Sequence, residues 1–268
     1  MRVTQLGRFR YIEAQPSSSV RRRGVLLLIH AFPLNARMFE PQLAMAERGW
    51  HVVAPHLRRF DGGDGDPPAS TIDDFAADVI DLADALHLQD AVIGGVSMGG
   101  YVAFAMFRHA PRYFQGIVLA DTKAPGDTPE AVDGRKKMLD LVHQKGSAAV
   151  ADEMIPKLLG ETTRRTRPDV VERVRALVLS NSPEAIAGAI RALMTRPDST
   201  PLLSTIHCPA LILVGDEDLV TPKAAADEMH HGIAGSQLAV ISGAGHLSNL
   251  ERPDAFNDAL ARFLEHQV

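Results

Sequence analysis

The chain has 268 residues, of which 46% are hydrophobic and 23% are charged, and its formal net charge at pH 7 is −5. A chain of this length buries a sizeable core, as one large domain or as a domain that carries an insertion. The negative net charge, without any long run of Lys or Arg, argues against nucleic acid as a partner. The single cysteine, Cys208, excludes an internal disulfide and favours a reducing compartment.

Neither a signal peptide nor a membrane segment is expected. Residues 1–8 lack the apolar core of a signal peptide, and no apolar run reaches the roughly 18 residues of a membrane span. We therefore expect a soluble, cytoplasmic protein with no membrane partner. No cofactor or metal is expected either, because no phosphate-binding motif occurs and the pair His230 and His231 lacks a third ligand at suitable spacing.

The first half of the chain alternates strand-like and helix-like segments. Residues 3–13 are typical of two short paired strands, and apolar runs predict strands at residues 25–29, 50–55 and 116–121. A further strand is predicted where a short apolar run that begins at Ala91 leads to a glycine pair before Ser97. Helices are predicted over residues 36–48, after residue 97, and over residues 72–86 behind a capping box of Thr71 and Asp74. Residues 60–70 are predicted to form a surface loop. Such alternation implies a parallel sheet that is covered by helices on both faces.

The alternation stops between about Thr122 and Thr200. This segment has no strand-like run and four helix-like patterns, at residues 130–145, 147–159, 168–180 and 183–195. Strands resume at residues 209–214 and 237–241, and each is followed by a helix, at residues 223–231 and 253–265. We therefore predict an α/β core domain of residues 1–122 and 201–268, with an all-helical cap of residues 123–200 over the site. Extra helices packed on the flank are the alternative.

The motif around which these elements are arranged is Gly95-Val96-Ser97-Met98-Gly99. The pattern Gly-x-Ser-x-Gly predicts a strand that turns into a helix within two residues, which leaves no room for side chains near the serine. Such a turn lifts the Ser97 hydroxyl clear of the sheet and places free backbone N–H groups beside it. With 21 glycines in the chain, the pattern alone arises by accident on the order of once in ten sequences. It therefore indicates a nucleophile only if the chain also supplies a base and an acid.

A serine nucleophile needs a base within hydrogen-bond reach and a third group that orients the base. His246 is the candidate base, because it lies in a glycine-rich loop directly after the last predicted strand. The loop after the preceding strand offers three carboxylates, Asp216, Glu217 and Asp218. A tight turn there aims either aspartate inward, so spacing alone leaves Asp216 and Asp218 as alternatives.

With nucleophile, acid and histidine in this order, the chain resembles the α/β-hydrolase fold superfamily over essentially its whole length. The resemblance implies a mostly parallel central sheet flanked by helices, with the helical cap inserted after strand six. The acid turn of that family, Gly-x-x-Asp, matches residues 215–218, which selects Asp218 and leaves Asp216 as the runner-up. The resemblance therefore implies a catalytic triad of Ser97, His246 and Asp218.

The family's His-Gly loop is similar to residues 30–33 of this chain, with alanine in place of glycine at position 31. The resemblance implies that the backbone N–H groups of Phe32 and Met98 form the oxyanion hole. It implies a structural role for His30 rather than one in proton transfer. A non-glycine residue at position 31 requires a backbone conformation that tolerates a Cβ atom.

Several short patterns, among them residues 245–253, look most like those of small bacterial carboxylesterases, which are similar to 3-oxoadipate enol-lactonases. The resemblance implies a serine hydrolase that cleaves small carboxylic esters or lactones through an acyl-enzyme. Serine at the turn argues against haloalkane dehalogenases and epoxide hydrolases, which use aspartate there. Two alternatives stay open: a homologue that binds a small ligand with little turnover, and a C–C bond hydrolase, for which Arg191 or Lys157 would hold a carboxylate.

The predicted cap contains no Phe, Trp or Tyr between Lys123 and Thr200. Its larger apolar residues are aliphatic or methionine, and four of them are candidates for lining the pocket: Met138, Met154, Leu158 and Met194. Residues at helical spacing also form the core of the cap itself, which is the competing interpretation. This composition favours short acyl esters or small lactones over long-chain lipids.

Overall fold

The computed structural model describes residues 3–62, 67–266 and 268, and within them eight strands form one sheet. The strands are Thr4–Leu6 (β1), Phe9–Ala14 (β2), Gly24–Ile29 (β3), Trp50–Pro55 (β4), Ala91–Val96 (β5), Phe114–Ala120 (β6), Ala210–Gly215 (β7) and Gln237–Ile241 (β8). Their order in the sheet is β1-β2-β4-β3-β5-β6-β7-β8. Strands β1 and β2 pair antiparallel, β2 pairs antiparallel with β4, and all pairs from β4 to β8 are parallel.

The α-helices of the described residues are Ile72–Ala85 (α1), Met98–His109 (α2), Pro129–Leu158 (α3), Glu161–Thr166 (α4), Pro168–Leu179 (α5), Pro183–Met194 (α6), Lys223–Gly232 (α7), Ser248–Glu251 (α8) and Pro253–His266 (α9). Shorter 3₁₀ segments lie at Phe60–Gly62, Pro111–Tyr113 and Thr200–Thr205, and a longer one at Ala36–Arg48. In the part of the chain that the structure describes, no helix is long and apolar enough to cross a bilayer.

The predicted fold class is confirmed, and the central strands form where apolar runs predict them. Every residue of β4, β5 and β7 is buried, as expected for strands that helices cover on both faces. Thr71 and Asp74 form the predicted capping box at the start of α1. Parallel strands β3 to β8 therefore bring their carboxyl ends, and the loops that follow them, to one edge of the sheet.

The structure differs from the sequence prediction in three places. Residues 36–48 form 3₁₀ turns rather than a regular α-helix, and Pro41 inside them removes one backbone donor. The short helices α4 and α8 were not predicted, because four to six residues show no helical periodicity. In the predicted surface loop, Phe60 is buried with its ring 4.9 Å from that of His30, while residues 63–66 lie outside the described residues.

Helices α3 to α6 follow β6 and precede β7, and we call residues 123–200 the helical insertion. Helix α3 is interrupted at Gly146, whose φ is 72°. Helix α6 packs on α1, and α5 packs on residues 36–48. Buried apolar residues of the insertion, such as Val174 and Ile186, belong to the same apolar cluster as the strands of the sheet. The insertion is thus packed against the sheet domain, and its division into a separate cap domain stays a prediction.

Candidate active site

The turn between β5 and α2 carries Ser97 in a backbone conformation that L-residues rarely adopt, with φ of 54°. The glycines two residues before and two residues after Ser97 have no room for a side chain. A Cβ atom on Gly95 would lie 2.1 Å from the carbonyl carbon of Gly99, and one on Gly99 would lie 1.9 Å from the carbonyl oxygen of Ile29. The glycines of the motif are therefore required by close backbone approach.

Two hydrogen bonds hold this turn, one with the last residue of strand β6 and one with Thr122, two residues further on. The N–H of Ser97 donates to the carbonyl of Ala120 at 2.9 Å, and the hydroxyl of Thr122 donates to the carbonyl of Ser97 at 2.8 Å. Ser97 is 8% exposed. Its hydroxyl is thus fixed at the carboxyl edge of the sheet, within a largely buried environment.

The structure brings Ser97, His246 and Asp218 into one hydrogen-bonded chain. His246, in the loop after β8, has its Nε2 2.8 Å from Ser97 Oγ and its Nδ1 2.8 Å from Asp218 Oδ2. Asp218 lies in the turn after β7, and both side chains are almost fully buried. In this geometry the imidazole can accept a proton from the Ser97 hydroxyl while its Nδ1–H donates to the carboxylate.

The carboxylate of Asp218 accepts three further hydrogen bonds. Its Oδ1 accepts from the backbone N–H groups of Val220 and Thr221 at 2.8 and 2.9 Å, and its Oδ2 accepts from the Thr221 hydroxyl at 2.7 Å. Burial by itself raises the pKa of Asp218, but the charge of His246 and these hydrogen bonds outweigh burial, and the pKa lies below its usual value. Burial lowers the pKa of His246, but the charge of Asp218 outweighs it and the net pKa is raised. Each of the two side chains thus stabilises the charged form of the other.

Asp216, the alternative acid, points elsewhere. It is exposed and accepts hydrogen bonds from the Ser242 hydroxyl at 3.0 Å and from the N–H of Gly243 at 2.7 Å. These bonds tie the turn after β7 to the loop after β8. Of the two aspartates that spacing left open, Asp218 is the one in contact with His246.

Two backbone N–H groups, those of Phe32 and Met98, are predicted from the sequence to form an oxyanion hole beside Ser97. Within the described residues, neither the N–H of Phe32 nor that of Met98 has a hydrogen-bond acceptor. Ala31 has no positive φ, so its methyl group is tolerated, and its N–H contacts Met38 Sδ at 3.2 Å. Free donors at these two positions are what binding of an oxyanion requires.

His30 is fully buried beneath this loop. Its Nε2 accepts a hydrogen bond from the N–H of Leu57 at 3.1 Å, so the proton of the neutral ring is on Nδ1, which lies 3.0 Å from the carbonyl of Ala31. Burial lowers the pKa of His30 to about 4. A neutral ring in this position connects the loop after β3 to the loop after β4.

A further carboxylate at the site, that of Asp121, is fully buried, directly follows β6 and was not among the residues predicted from the sequence. It accepts hydrogen bonds from the N–H of Gly215 at 2.9 Å, and from the N–H and hydroxyl of Ser248 at 3.0 and 2.6 Å. Burial, together with the nearby charge of Asp218, raises its pKa to about 7. Asp121 thus links the end of β7 to the loop of His246. Its position directly after a buried strand was the available signal.

The residues proposed for the pocket have mixed environments. Leu158 is buried, and Met138, Met154 and Met194 are half-buried against the apolar cluster.

Two cations are the candidates to bind a substrate carboxylate in the alternative of a C–C bond hydrolase. Lys157 is half-exposed and paired with Glu153, and Arg191 lines an open pocket with Pro68 and other residues. In the described part of the chain, no three His, Cys, Asp or Glu residues are grouped so as to hold a metal ion.

Comparison with known proteins places these features in context. A family model described as "Alpha/beta hydrolase family" matches residues 26–259. Among curated proteins, 3-oxoadipate enol-lactonase 2 of Acinetobacter baylyi is 28% identical over 238 residues, which cover 89% of this chain and 87% of that protein.

Solved structures show the same likeness. A thermophilic esterase from Thermogutta terrifontis, with malate bound, has 36% sequence identity and a TM-score of 0.89, over 96% of this chain and 93% of that one. The enol-lactonase from Burkholderia xenovorans LB400 has a TM-score of 0.87 over 99% of this chain and 100% of that one. At 24% identity, it shows likeness of fold alone.

Proposed function

This chain belongs to the alpha/beta hydrolase family, and on that premise we propose that it is a serine hydrolase of small carboxylic esters or lactones. The observation that carries the proposal is the buried hydrogen-bonded chain from Ser97 through His246 to Asp218. The named relatives, an esterase and an enol-lactonase, support hydrolase chemistry on this fold.

In the proposed mechanism, Ser97 Oγ forms a bond to the substrate carbonyl carbon while its proton moves to His246 Nε2. The electron pair of the carbonyl moves to its oxygen, which the N–H groups of Phe32 and Met98 bind; each such donor is worth about 3 kcal/mol of barrier. His246 then protonates the leaving alcohol oxygen while the carbonyl re-forms and the bond from its carbon to that oxygen breaks, which leaves an acyl-enzyme. A water molecule, deprotonated by His246, attacks the acyl carbon in turn; the bond to Ser97 Oγ breaks as His246 returns the proton to that oxygen, and the acid is released.

Asp218 orients the imidazole in this mechanism. Its carboxylate holds the proton on Nδ1, so that Nε2 is free to accept the proton of Ser97. It also stabilises the imidazolium that forms when Ser97 attacks, in keeping with the raised pKa of His246. Asp218 itself stays ionised, because its pKa is held below the usual value.

We propose further that residues 123–200 act as a cap over the core of residues 1–122 and 201–268. Met138, Met154, Leu158 and Met194 are proposed to line the pocket. Because these side chains are aliphatic or thioether, with no aromatic ring in the insertion, we favour short acyl groups and small lactones as substrates.

The proposal is tested with a panel of p-nitrophenyl esters and lactones, and with a serine-directed phosphonate. We expect hydrolysis that is fastest with short acyl chains, covalent labelling of the peptide that contains Ser97, and a loss of about a thousandfold or more in kcat for Ser97→Ala. Ser199→Ala, which changes a buried serine outside the site, is the control and is expected to retain activity. Full esterase activity in Ser97→Ala, or no turnover of any panel member by the wild type, would overturn the proposal.

A further inference from the structure

The helical insertion contacts three loops that carry the proposed catalytic groups. These are the oxyanion loop (residues 30–34), the acid turn (residues 215–221) and the histidine loop (residues 243–247). The nucleophile turn, by contrast, is held by β6 and the residue that follows Asp121. Hydrogen bonds connect the insertion to each of the three loops, or to the residues directly beside them.

Asn181, in the turn between α5 and α6, makes the contact with the oxyanion loop. It is 2% exposed, and its Nδ2 donates to the carbonyl of Pro33 at 2.8 Å and to that of Leu177 at 2.9 Å. Its Oδ1 accepts from the N–H of Asp61 at 2.9 Å and from Asn35 Nδ2 at 3.2 Å. Both donor hydrogens and both acceptor positions of the amide are therefore used.

Pro33 directly follows Phe32, whose N–H is the proposed oxyanion donor. On the other side of Phe32, Ala31 is held by its contact with Met38. The oxyanion loop is thus fixed on one side by the core and on the other side by Asn181. Without the amide of Asn181, the carbonyl of Pro33 would lose this buried donor. The loop would then be held from the side of Ala31, whose N–H contacts Met38 and whose carbonyl accepts from the N–H of Leu34 at 2.9 Å and from His30.

The segment Leu158–Thr162 makes the corresponding contacts with the other two loops. The N–H of His246 donates to the carbonyl of Leu158 at 3.0 Å. The buried carboxylate of Glu251 accepts from the N–H of Gly245 and from that of Gly160, each at 2.9 Å.

Next to the proposed acid, Glu217 accepts from the N–H of Thr162 at 2.8 Å and also from its hydroxyl. Three of the proposed groups lie outside the nucleophile turn: the N–H of Phe32, the imidazole of His246 and the carboxylate of Asp218. The insertion makes a hydrogen bond to each of these residues or to its neighbour in the chain. Moving it away from the sheet would break all of these bonds together.

We propose that Asn181 is a positioning residue for the reaction: it acts through Pro33 to hold the N–H of Phe32 toward the developing oxyanion. The insertion is accordingly a fixed part of the active site, which stays docked on the three loops during turnover. This inference rests on the proposed serine hydrolase function, because it assigns a role to the same oxyanion hole.

The variants Asn181→Ala and the milder Asn181→Ser test this role. Ser147→Ala is the matched control, because it removes a hydrogen bond to the carbonyl of Asn181, at 2.7 Å, and leaves the bond to Pro33 in place. For the Asn181 variants we expect kcat on a short ester to fall about tenfold to a hundredfold, with little change in KM. We expect the control to stay within about twofold of the wild type.

The rate ratio between an ester and its thionoester separates positioning from a merely structural role. Sulfur is a poor hydrogen-bond acceptor, so a well-formed oxyanion hole favours the oxygen ester strongly. We expect this ratio to fall in the Asn181 variants while the pH profile of kcat/KM stays unchanged, because His246 and Asp218 are not altered. An unchanged ratio in folded variants would overturn the proposal, whether or not kcat falls.

Hydrogen exchange in the wild-type protein gives a test that needs no variant. The N–H groups of Asp61 and His246 donate to the insertion, and docking throughout turnover predicts that both exchange about as slowly as the amides of β7. Rapid exchange at these amides would contradict a fixed insertion. Failure of the proposed function would be seen separately, as wild-type turnover that does not depend on Ser97.

Discussion

The carboxyl edge of the sheet and the helical insertion contribute different kinds of groups to the same site. The sheet edge supplies ionisable side chains, namely Asp121, Asp218 and His246, all of them buried. The insertion supplies neutral groups, among them the amide of Asn181 and the carbonyl of Leu158. In the proposed mechanism the proton transfers therefore take place at the strand ends, while the insertion supports the geometry of the loops.

Changes in the two regions should therefore have different experimental signatures. A change to one of the buried ionisable groups at the sheet edge alters charge or proton transfer, and it should move a pH profile or remove activity. A change in the insertion should alter kcat or the free energy of unfolding and leave the pH profile in place. Three predictions test this contrast, and they are given in order of decreasing effect.

The largest effect is expected for Asp218→Asn, paired with Asp216→Asn. Without the carboxylate, His246 is no longer held with its proton on Nδ1, and kcat should fall by about 10⁴. The carboxylate of Asp216 accepts hydrogen bonds from Ser242 and Gly243 and has no contact with His246, so Asp216→Asn should stay close to wild type. The kcat values of both variants, measured by steady-state kinetics on one short ester, test which aspartate acts on His246. Equal losses in the two variants would show that the acid has been assigned wrongly.

A smaller effect is expected for Asp121→Asn. Asp121 has a pKa of about 7, and where it is ionised its charge contributes to the raised pKa of His246, so its removal should lower that pKa. The proposed mechanism requires neutral His246, and the acid limb of kcat/KM should therefore shift to lower pH. The lost bond to Ser248 should reduce kcat at pH 8 by about tenfold.

The pH profile of kcat/KM for Asp121→Asn, with Asp216→Asn as the control, checks this. The control removes an exposed carboxylate and should leave the acid limb in place. A shift of the limb to higher pH in Asp121→Asn would contradict the electrostatic coupling.

The smallest effects are expected for two glycines of α3, and they have opposite signs. Gly146 has φ of 72° and ψ of −171°, a conformation nearly restricted to glycine, so Gly146→Ala should lower the free energy of unfolding by about 1–2 kcal/mol. Gly134 is an exposed helical residue with no atom within 4 Å of a built Cβ, so Gly134→Ala should raise it by about 0.5–1 kcal/mol.

Urea unfolding of both variants measures these changes, and the pH profile of kcat/KM should match wild type in each. A stabilised Gly146→Ala would show that the break in α3 is not a strained glycine conformation. A shifted pH profile in either variant would break the contrast between the insertion and the sheet edge.

Much of the fold was predictable because buried parallel strands appear in the sequence as continuous apolar runs. Strand β4, which is buried throughout, begins and ends at the predicted residues, and the capping box marked the start of α1. The 3₁₀ geometry of residues 36–48 was not predictable, because their apolar spacing is also that of an α-helix. Helices α4 and α8 are too short to show any period.

The sequence by itself determined the turn at Ser97, since close backbone approach at Gly95 and Gly99 excludes side chains and leaves a readable pattern. It also placed the candidate acid and base after strands whose ends share one edge of the sheet. The contact of Asp218, rather than Asp216, with His246 was decided by the tertiary structure, because two residues of a tight turn point in different directions. The contact between Asn181 and Pro33 was decided there too: it joins residues 148 positions apart, and local sequence carries no signal for a bond made only when the insertion packs on the sheet domain.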